Sequence, residues 1–364
     1  MVTMLLLVLV ARLAGAGGLT VETQHGPVQG EVRSQLDPRL GREVAWTQFS
    51  NIPYAAPPTG DLRFRPPAPP PAWTTPPPPA ADQNLTICPQ LGGPGQLYGR
   101  SDEDCLYLHV AVPRVSPAHV PGLAVMVWIH GGGFMTGDGT PDSFGPGYWM
   151  AHGVIIVTIN YRLGPLGYLS LGTEEVAGNM GQQDQVAALR WVQANIAQFG
   201  GDPGNVTVFG NSAGSFCSLC LYVSPRCEGL FHRVIAQSGP LISNSAPMQV
   251  MGKRAALYAR TYAESLGCGA GDSSEQLVEK LRQLPVAKLQ SSFNIAGSWA
   301  DMVPSPWKPL VDTWASRPFL PVAPRAALLA GTFNRVPLLT GVTSEEGIMM
   351  VSHIVREPDR CTQY

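Results

Sequence analysis

Apolar and polar positions along the chain alternate between two periods. Ala124-Val-Met-Val-Trp-Ile129 is an unbroken apolar run, and Val154-Ile-Ile-Val-Thr-Ile159 is another. Runs of this length with no polar face predict buried strands of a parallel sheet. Val206 to Phe209 and Val336 to Gly341 repeat the pattern further along. Between the second and third runs, Gln182 to Phe199 places Val186, Leu189, Val192 and Ile196 at helical spacing. That spacing predicts an amphipathic helix carrying the chain back to the next parallel strand. Thr20 to Thr23 and Pro27 to Val32 read as a polar-faced hairpin leading into the fold, and Met248 to Leu284 as helical and lid-like. Strand, helix, strand in sequence is the signature of an α/β domain, and no internal repeat interrupts it.

Candidate chemistry falls at the ends of these runs. The strand at Val206–Phe209 breaks into Gly210-Asn211-Ser212-Ala213-Gly214, followed by Leu219, Tyr222 and Val223 in an apolar pattern. Glycines on both sides of a serine at a strand-to-helix turn fit a nucleophile elbow, where the crowded backbone lifts the hydroxyl clear of the sheet. Ile129 runs into His130-Gly131-Gly132-Gly133-Phe134, and serial glycines let backbone N–H groups point into space where an oxyanion develops. After Gly341 come Glu345 and Glu346, either of which stands where a triad acid is expected, just past a strand's carboxyl end.

Together these segments resemble the type-B carboxylesterase/lipase family, the cholinesterase-like branch of the α/β-hydrolases. Phe49-Ser-Asn-Ile-Pro-Tyr-Ala-Ala-Pro-Pro, Leu62-Arg-Phe-Arg-Pro-Pro, Glu103-Asp-Cys-Leu-Tyr-Leu-His-Val-Ala-Val-Pro113 and Asn160-Tyr-Arg-Leu-Gly-Pro-Leu-Gly167 extend the likeness beyond the elbow. The resemblance implies an α/β-hydrolase fold, with a mostly parallel central sheet and helices on both faces. It assigns Ser212 as nucleophile, Glu346 as triad acid, Gly132, Gly133 and Ala213 as oxyanion donors, and Ser238 as a serine behind the triad. It also implies a Cys88–Cys105 disulfide. Cys268 matches half of a second family bridge, but Lys280 stands near its expected partner position, so Cys268 is expected free or paired elsewhere. In this fold the base histidine follows the acid. Only His353 does so, on the same loop as Glu346, where it is not expected to serve. The resemblance therefore implies that the family's last strands and helices, and its histidine, are missing from these residues.

Bulk properties narrow the picture. A net charge of -2 with 14% charged residues, and no basic stripe, argues against a nucleic-acid partner. Met4 to Ala11 followed by Ala14-Gly15-Ala16 predicts a signal peptide over residues 1–18, too short to span a bilayer, with one domain over 19–364. Secretion fits the implied disulfide and the sequon Asn84-Leu-Thr86. A second sequon, Asn205-Val-Thr207, opens the strand before the elbow and is expected to be hidden. His109 reads as a satisfied strand residue, His130 as a loop-orienting one and His232 as structural. Cys217, Cys220 and Cys227 have apolar neighbours and read as plain buried thiols. Pro66–Pro71 and Pro76–Pro79 read as stiff surface connections.

The chemistry calls for a small-molecule ester and for no cofactor, no metal and no membrane span. Oligomeric state is not read. Two function classes follow: a secreted serine esterase for neutral esters, or a non-catalytic member that binds partners through the same scaffold. Retention of Ser212, the glycines and Glu346 favours the first.

Overall fold

The structure, a computed structural model, describes residues 19–77, 85–90, 100–114, 122–241, 248–269, 271–291, 306–346 and 348. Its strands are β1 (Leu19–Glu22), β2 (Pro27–Asp37), β3 (Arg42–Pro53), β4 (Thr86–Ile87), β5 (Arg100–Ser101), β6 (Tyr107–Pro113), β7 (Leu123–Ile129), β8 (Ile155–Ile159), β9 (Gly201–Asn211), β10 (Arg233–Gln237) and β11 (Leu338–Gly341). Nine of them form one sheet in the order β1-β2-β3-β6-β8-β7-β9-β10-β11, while β4 and β5 make a separate parallel pair. Pairing is antiparallel from β1 to β8 along that order and parallel from β8 to β11. The expected parallel sheet is thus the half that carries the candidate chemistry. The hairpin-linked N-terminal strands supply an antiparallel half.

Burial follows the strand period of two. Val125, Val127 and Ile129 of β7, with Ile155, Val157 and Ile159 of β8, belong to one large core cluster. Ile156 faces the other way, into a smaller cluster with Val44, Trp46, Ala111 and Met150 of α1 (Gly147–Met150). On the main face lie α2 (Gly164–Tyr168), α3 (Met180–Asn195) and α4 (Ala213–Val223). Helix α3 buries Val186, Leu189 and Val192, as its spacing predicts, and continues as a 3₁₀ turn from Ile196 to Phe199. Helices therefore cover both faces.

Three readings need correction. Strand β9 begins at Gly201 rather than Val206, because Gly201 already pairs with Leu123. Asn205 is only half-buried on that strand, and its side-chain oxygen accepts from Arg233. The helices α5 (Met248–Ser265), α6 (Ser274–Gln283) and α7 (Val286–Ser291) are docked rather than lid-like: Ala259, Tyr262, Leu277, Leu281 and Leu289 enter the main core. The remaining helix, α8 (Pro324–Ala330), leads into β11.

Two buried ion pairs tie these layers together. Arg63 bonds Glu103 through two nitrogens, and its Nη1 donates to the carbonyls of Leu281 (3.2 Å), Arg282 (2.8 Å) and Leu284 (2.7 Å) at the C-terminus of α6. Arg162, just past β8, grips Asp184 on α3 at 2.8 and 2.7 Å. Guanidinium–carboxylate pairs with a planar two-point fit survive burial because every donor finds an acceptor.

Candidate active site

Strand β9 ends at Asn211 and α4 starts at Ala213, leaving Ser212 to make the whole turn. Its backbone sits at φ 57° and ψ −122°, a conformation in which a non-glycine residue is strained. The strain is held by hydrogen bonds on both sides: Ser212 N–H donates to Gln237 O at 2.9 Å, and Phe216 N–H donates to Ser212 O at 3.0 Å. Ala213 N–H belongs to the first turn of α4, whose amides have no intrahelical acceptor and attract negative charge. A Cβ on Gly214 would lie 2.0 Å from Ile129 O, so only glycine lets this turn press against the end of β7.

The end of β7 delivers the glycine loop to the same place. A Cβ built on Gly131 would lie 3.3 Å from Ser212 Cβ, which puts loop and elbow in contact. Gly132 adopts φ 107° and Gly133 φ 64°, open only to residues without a side-chain penalty. His130 is buried, stacked on Tyr161 with ring centroids 4.3 Å apart, and its Nδ1 bonds Gly131 O at 2.8 Å. Burial pushes its pKa below the usual histidine value, so the ring is neutral and Nδ1 carries the proton that Gly131 O accepts. His130 orients the loop, as expected.

The acid arrives by strand register. Parallel pairing sets Gln237 opposite Gly341, and Ser238 N–H donates to Gly341 O at 2.8 Å. Ser238 itself turns at φ 53°. Its hydroxyl bonds the Glu346 carboxylate and, with a 3.0 Å bond from Thr343 N–H to Oε1, holds the Glu346 pKa below the usual carboxylate value. Of the two acids after β11, Glu346 is the one the described hydrogen bonds join to the elbow side of the sheet.

Among the described residues no imidazole bonds Ser212 Oγ. His232 Nδ1 accepts from Val206 N–H at 3.2 Å, a structural role. His109 is only half satisfied: Nδ1 accepts from Asn51 N–H at 3.3 Å, while buried Nε2 has no partner among the described residues. His353 and Asn84 lie outside the described residues, as do residues 1–18. Cys88 and Cys105 are bridged, and Cys217, Cys220, Cys227 and Cys268 are buried and free. Among the described residues no helix is long and apolar enough to cross a membrane, and no group of three or more His, Cys, Asp or Glu is placed to hold a metal ion.

Elbow, glycine loop and acid converge at the carboxyl ends of β7, β9 and β11, and the sequence as a whole matches accordingly. The model of the carboxylesterase family fits residues 18–364. The chain belongs to the carboxylesterase family. Among carboxylesterase-family relatives, juvenile hormone esterase of Tribolium castaneum is 37% identical over 353 residues, covering 93% of this chain and 57% of its own length. Neuroligin-2 of Homo sapiens is 34% identical over 378 residues, covering 93% of this chain and 43% of its own. The crystal structure of juvenile hormone esterase from Manduca sexta, with OTFP covalently attached, superposes with a TM-score of 0.80 at 30% identity, over 94% of this chain and 64% of that one. This carboxylesterase-family chain therefore spans less than two thirds of the relatives it matches.

The sequence alone missed three contributors to the candidate site. Tyr161 and Thr136 hold the glycine loop, and Asp184 anchors the segment that bears Tyr161. Tyr161 stands beside Arg162 in Asn160–Gly167, but no spacing rule connects either residue to its partner.

Proposed function

We propose that the chain carries the nucleophile half of a carboxylic ester hydrolase acting on neutral esters. The observation that carries this reading is the strained Ser212 elbow in contact with the Gly131–Gly133 loop. Ser212 Oγ attacks the ester carbonyl carbon, and the developing oxyanion is stabilised by the N–H groups of Gly132, Gly133 and Ala213. The alcohol leaves with a proton, and water then cleaves the acyl-Ser212 intermediate. Glu346, kept ionised by the Ser238 hydroxyl, orients the imidazole that removes the Oγ proton. In the family pattern that imidazole follows Glu346 in sequence.

Two features support a neutral substrate. No tryptophan lies between Cys88 and Cys105 to face a quaternary ammonium, and the elbow carries neutral Asn211. The Cys88–Cys105 bridge supports an oxidising, secretory compartment, with a leader over 1–18 and a glycan on Asn84 as further parts of the proposal.

Incubation with an aryl fluorophosphonate, followed by peptide mass spectrometry, tests the reading. A covalent adduct on Ser212 that disappears in Ser212→Ala is expected. A chain left unlabelled after prolonged incubation would move it to the second class, a binding protein on the hydrolase scaffold.

A further inference from the structure

A trans peptide unit is planar, with its C=O and N–H pointing in opposite directions, so whatever holds the carbonyl aims the amide. The described chain has no cis peptide bonds. The two loop amides assigned to the oxyanion belong to the units Gly131–Gly132 and Gly132–Gly133. Both carbonyls of these units are held from behind. Gly131 O accepts from His130 Nδ1 at 2.8 Å. Gly132 O accepts from Met135 N–H at 3.1 Å, Thr136 N–H at 3.0 Å and Thr136 Oγ1 at 3.1 Å.

His130 is fixed in turn. The Tyr161 hydroxyl donates to His130 O at 2.8 Å, and the Tyr161 ring stacks on the imidazole with 19° between planes. A phenol has one proton, and the buried Cys217 thiol lies beside the same oxygen. Gln182 Nε2 donates to Cys217 Sγ at 3.0 Å. Burial pushes the Cys217 pKa up to about 11, so the thiol keeps its proton, and the side chains of Gln182, Gln185, Tyr161 and Tyr168 crowd around it. The Tyr161 hydroxyl thus sits between His130 O, which accepts its proton, and a buried thiol held by Gln182.

We propose that Thr136 and Tyr161, together with His130, are positioning residues for ester hydrolysis: they hold the carbonyl side of the glycine loop so that the Gly132 and Gly133 amides face the oxyanion. None of them touches the ester. The effect is therefore on the transition state, in which the oxyanion is fully charged, and not on ground-state binding. This inference rests on the reading of Ser212 as nucleophile.

The test measures hydrolysis of p-nitrophenyl acetate by the 364-residue chain with imidazole supplied in solution as the base. Wild type, Ser212→Ala, Thr136→Val, Thr136→Ser and Tyr161→Phe are compared, each with its thermal midpoint. Thr136→Val and Tyr161→Phe are expected to lower kcat roughly 10-fold at unchanged KM, less than deletion of a donor itself, and Thr136→Ser to restore it. Ser212-dependent turnover that is insensitive to both Thr136→Val and Tyr161→Phe overturns this inference alone, as does a change confined to KM. Turnover above the protein-free imidazole blank that survives in Ser212→Ala, or is absent from wild type, overturns the inference together with the nucleophile reading. Should Thr136→Val fail to fold, Tyr161→Phe decides, since it removes one oxygen and leaves the ring.

Discussion

His109 occupies a place in β6 that the neighbouring strand makes for it. The β3–β6 pairing slips between Phe49 and Ile52, and Asn51 in that irregularity, at φ 51°, loses a ladder partner for its N–H. His109 Nδ1 accepts that N–H, which fixes the neutral tautomer with hydrogen on Nε2. Burial, with a smaller contribution from the Arg33 charge, pushes the imidazole pKa down to about 3. In the unfolded chain the same group titrates near its ordinary value of 6.5. The unfolded state therefore binds more protons between these two values, and the stability this histidine contributes is complete above 6.5 and lost as pH falls towards 3. The loss amounts to roughly 3 kcal/mol between pH 7 and pH 4. Urea midpoints over that range are expected to slope less steeply in His109→Gln, by about one proton. An unchanged slope would show that His109 does not titrate with unfolding. The sequence marks this residue as a departure inside a strand, but the bulge that explains it lies 58 positions away and leaves no local trace. The placement of Ser212, Gly132 and Glu346 near strand ends was legible because the motifs that mark them are local in sequence. Thr136 was not, since its hydroxyl acts on a carbonyl that a residue list does not display.

At the scale of elements, α5 and α6 are held by apolar contact, and α6 also by the guanidinium of Arg63 and by its own Arg282, which donates to Arg63 O and Glu175. Arg63 and Glu103 are 8% and 9% exposed at their side chains, and Arg63 also caps the last carbonyls of α6. Replacing Arg63 by methionine keeps the stem but leaves a buried carboxylate without its partner and takes a donor from the Leu281, Arg282 and Leu284 carbonyls. The expected destabilisation is about 3–5 kcal/mol, the usual effect of breaking one side of a buried pair. Hydrogen exchange should rise first in Ser274–Gln283, with β7 protected longer. Simultaneous loss of protection in both would show that α6 is not a separately anchored unit. The Cys88–Cys105 bridge closes a 17-residue separation beside Glu103. In the chain-entropy picture a loop of this size contributes roughly 3 kcal/mol, so Cys88→Ser is expected to reduce yield and thermal midpoint more than Ser212 labelling. Strand and helix identities were readable from periodicity in β7, β8, α3 and α4, whose apolar residues meet one core. The early start of β9 was not, because its first residues are turn-like in composition and are extended only through pairing with β7. The docking of α5 and α6 was equally invisible, since an amphipathic pattern says which face is buried but not what buries it.

Among the described residues the nine-stranded sheet has two unlike edges. Short β1 forms one, and β11 forms the other with all four residues exposed, Leu339 at 65%. If His353 does not serve as the base, as its place on the acid's own loop implies, the 364-residue chain is expected to hydrolyse aryl acetates roughly 10⁴- to 10⁶-fold more slowly than a triad-complete relative, with donors and binding supplying what remains. Loss of that remainder in Ser212→Ala but not in His353→Ala is the expected pattern; turnover near that of a complete enzyme would refute it. The fold class was readable from alternating periods, whereas the division into antiparallel and parallel halves depends on which strands neighbour one another, which periodicity does not encode. The parallel ladder between β10 and β11 has one further consequence. Because Gln237 is locked opposite Gly341, the separation of Ser212 from Glu346 is measured across two strands and is independent of the contour length of Ser238 to Pro337. Insertions in the loops between the docked helices of that stretch would leave the acid where it is. One residue gained or lost inside Leu338–Gly341 would instead turn every following side chain to the opposite face.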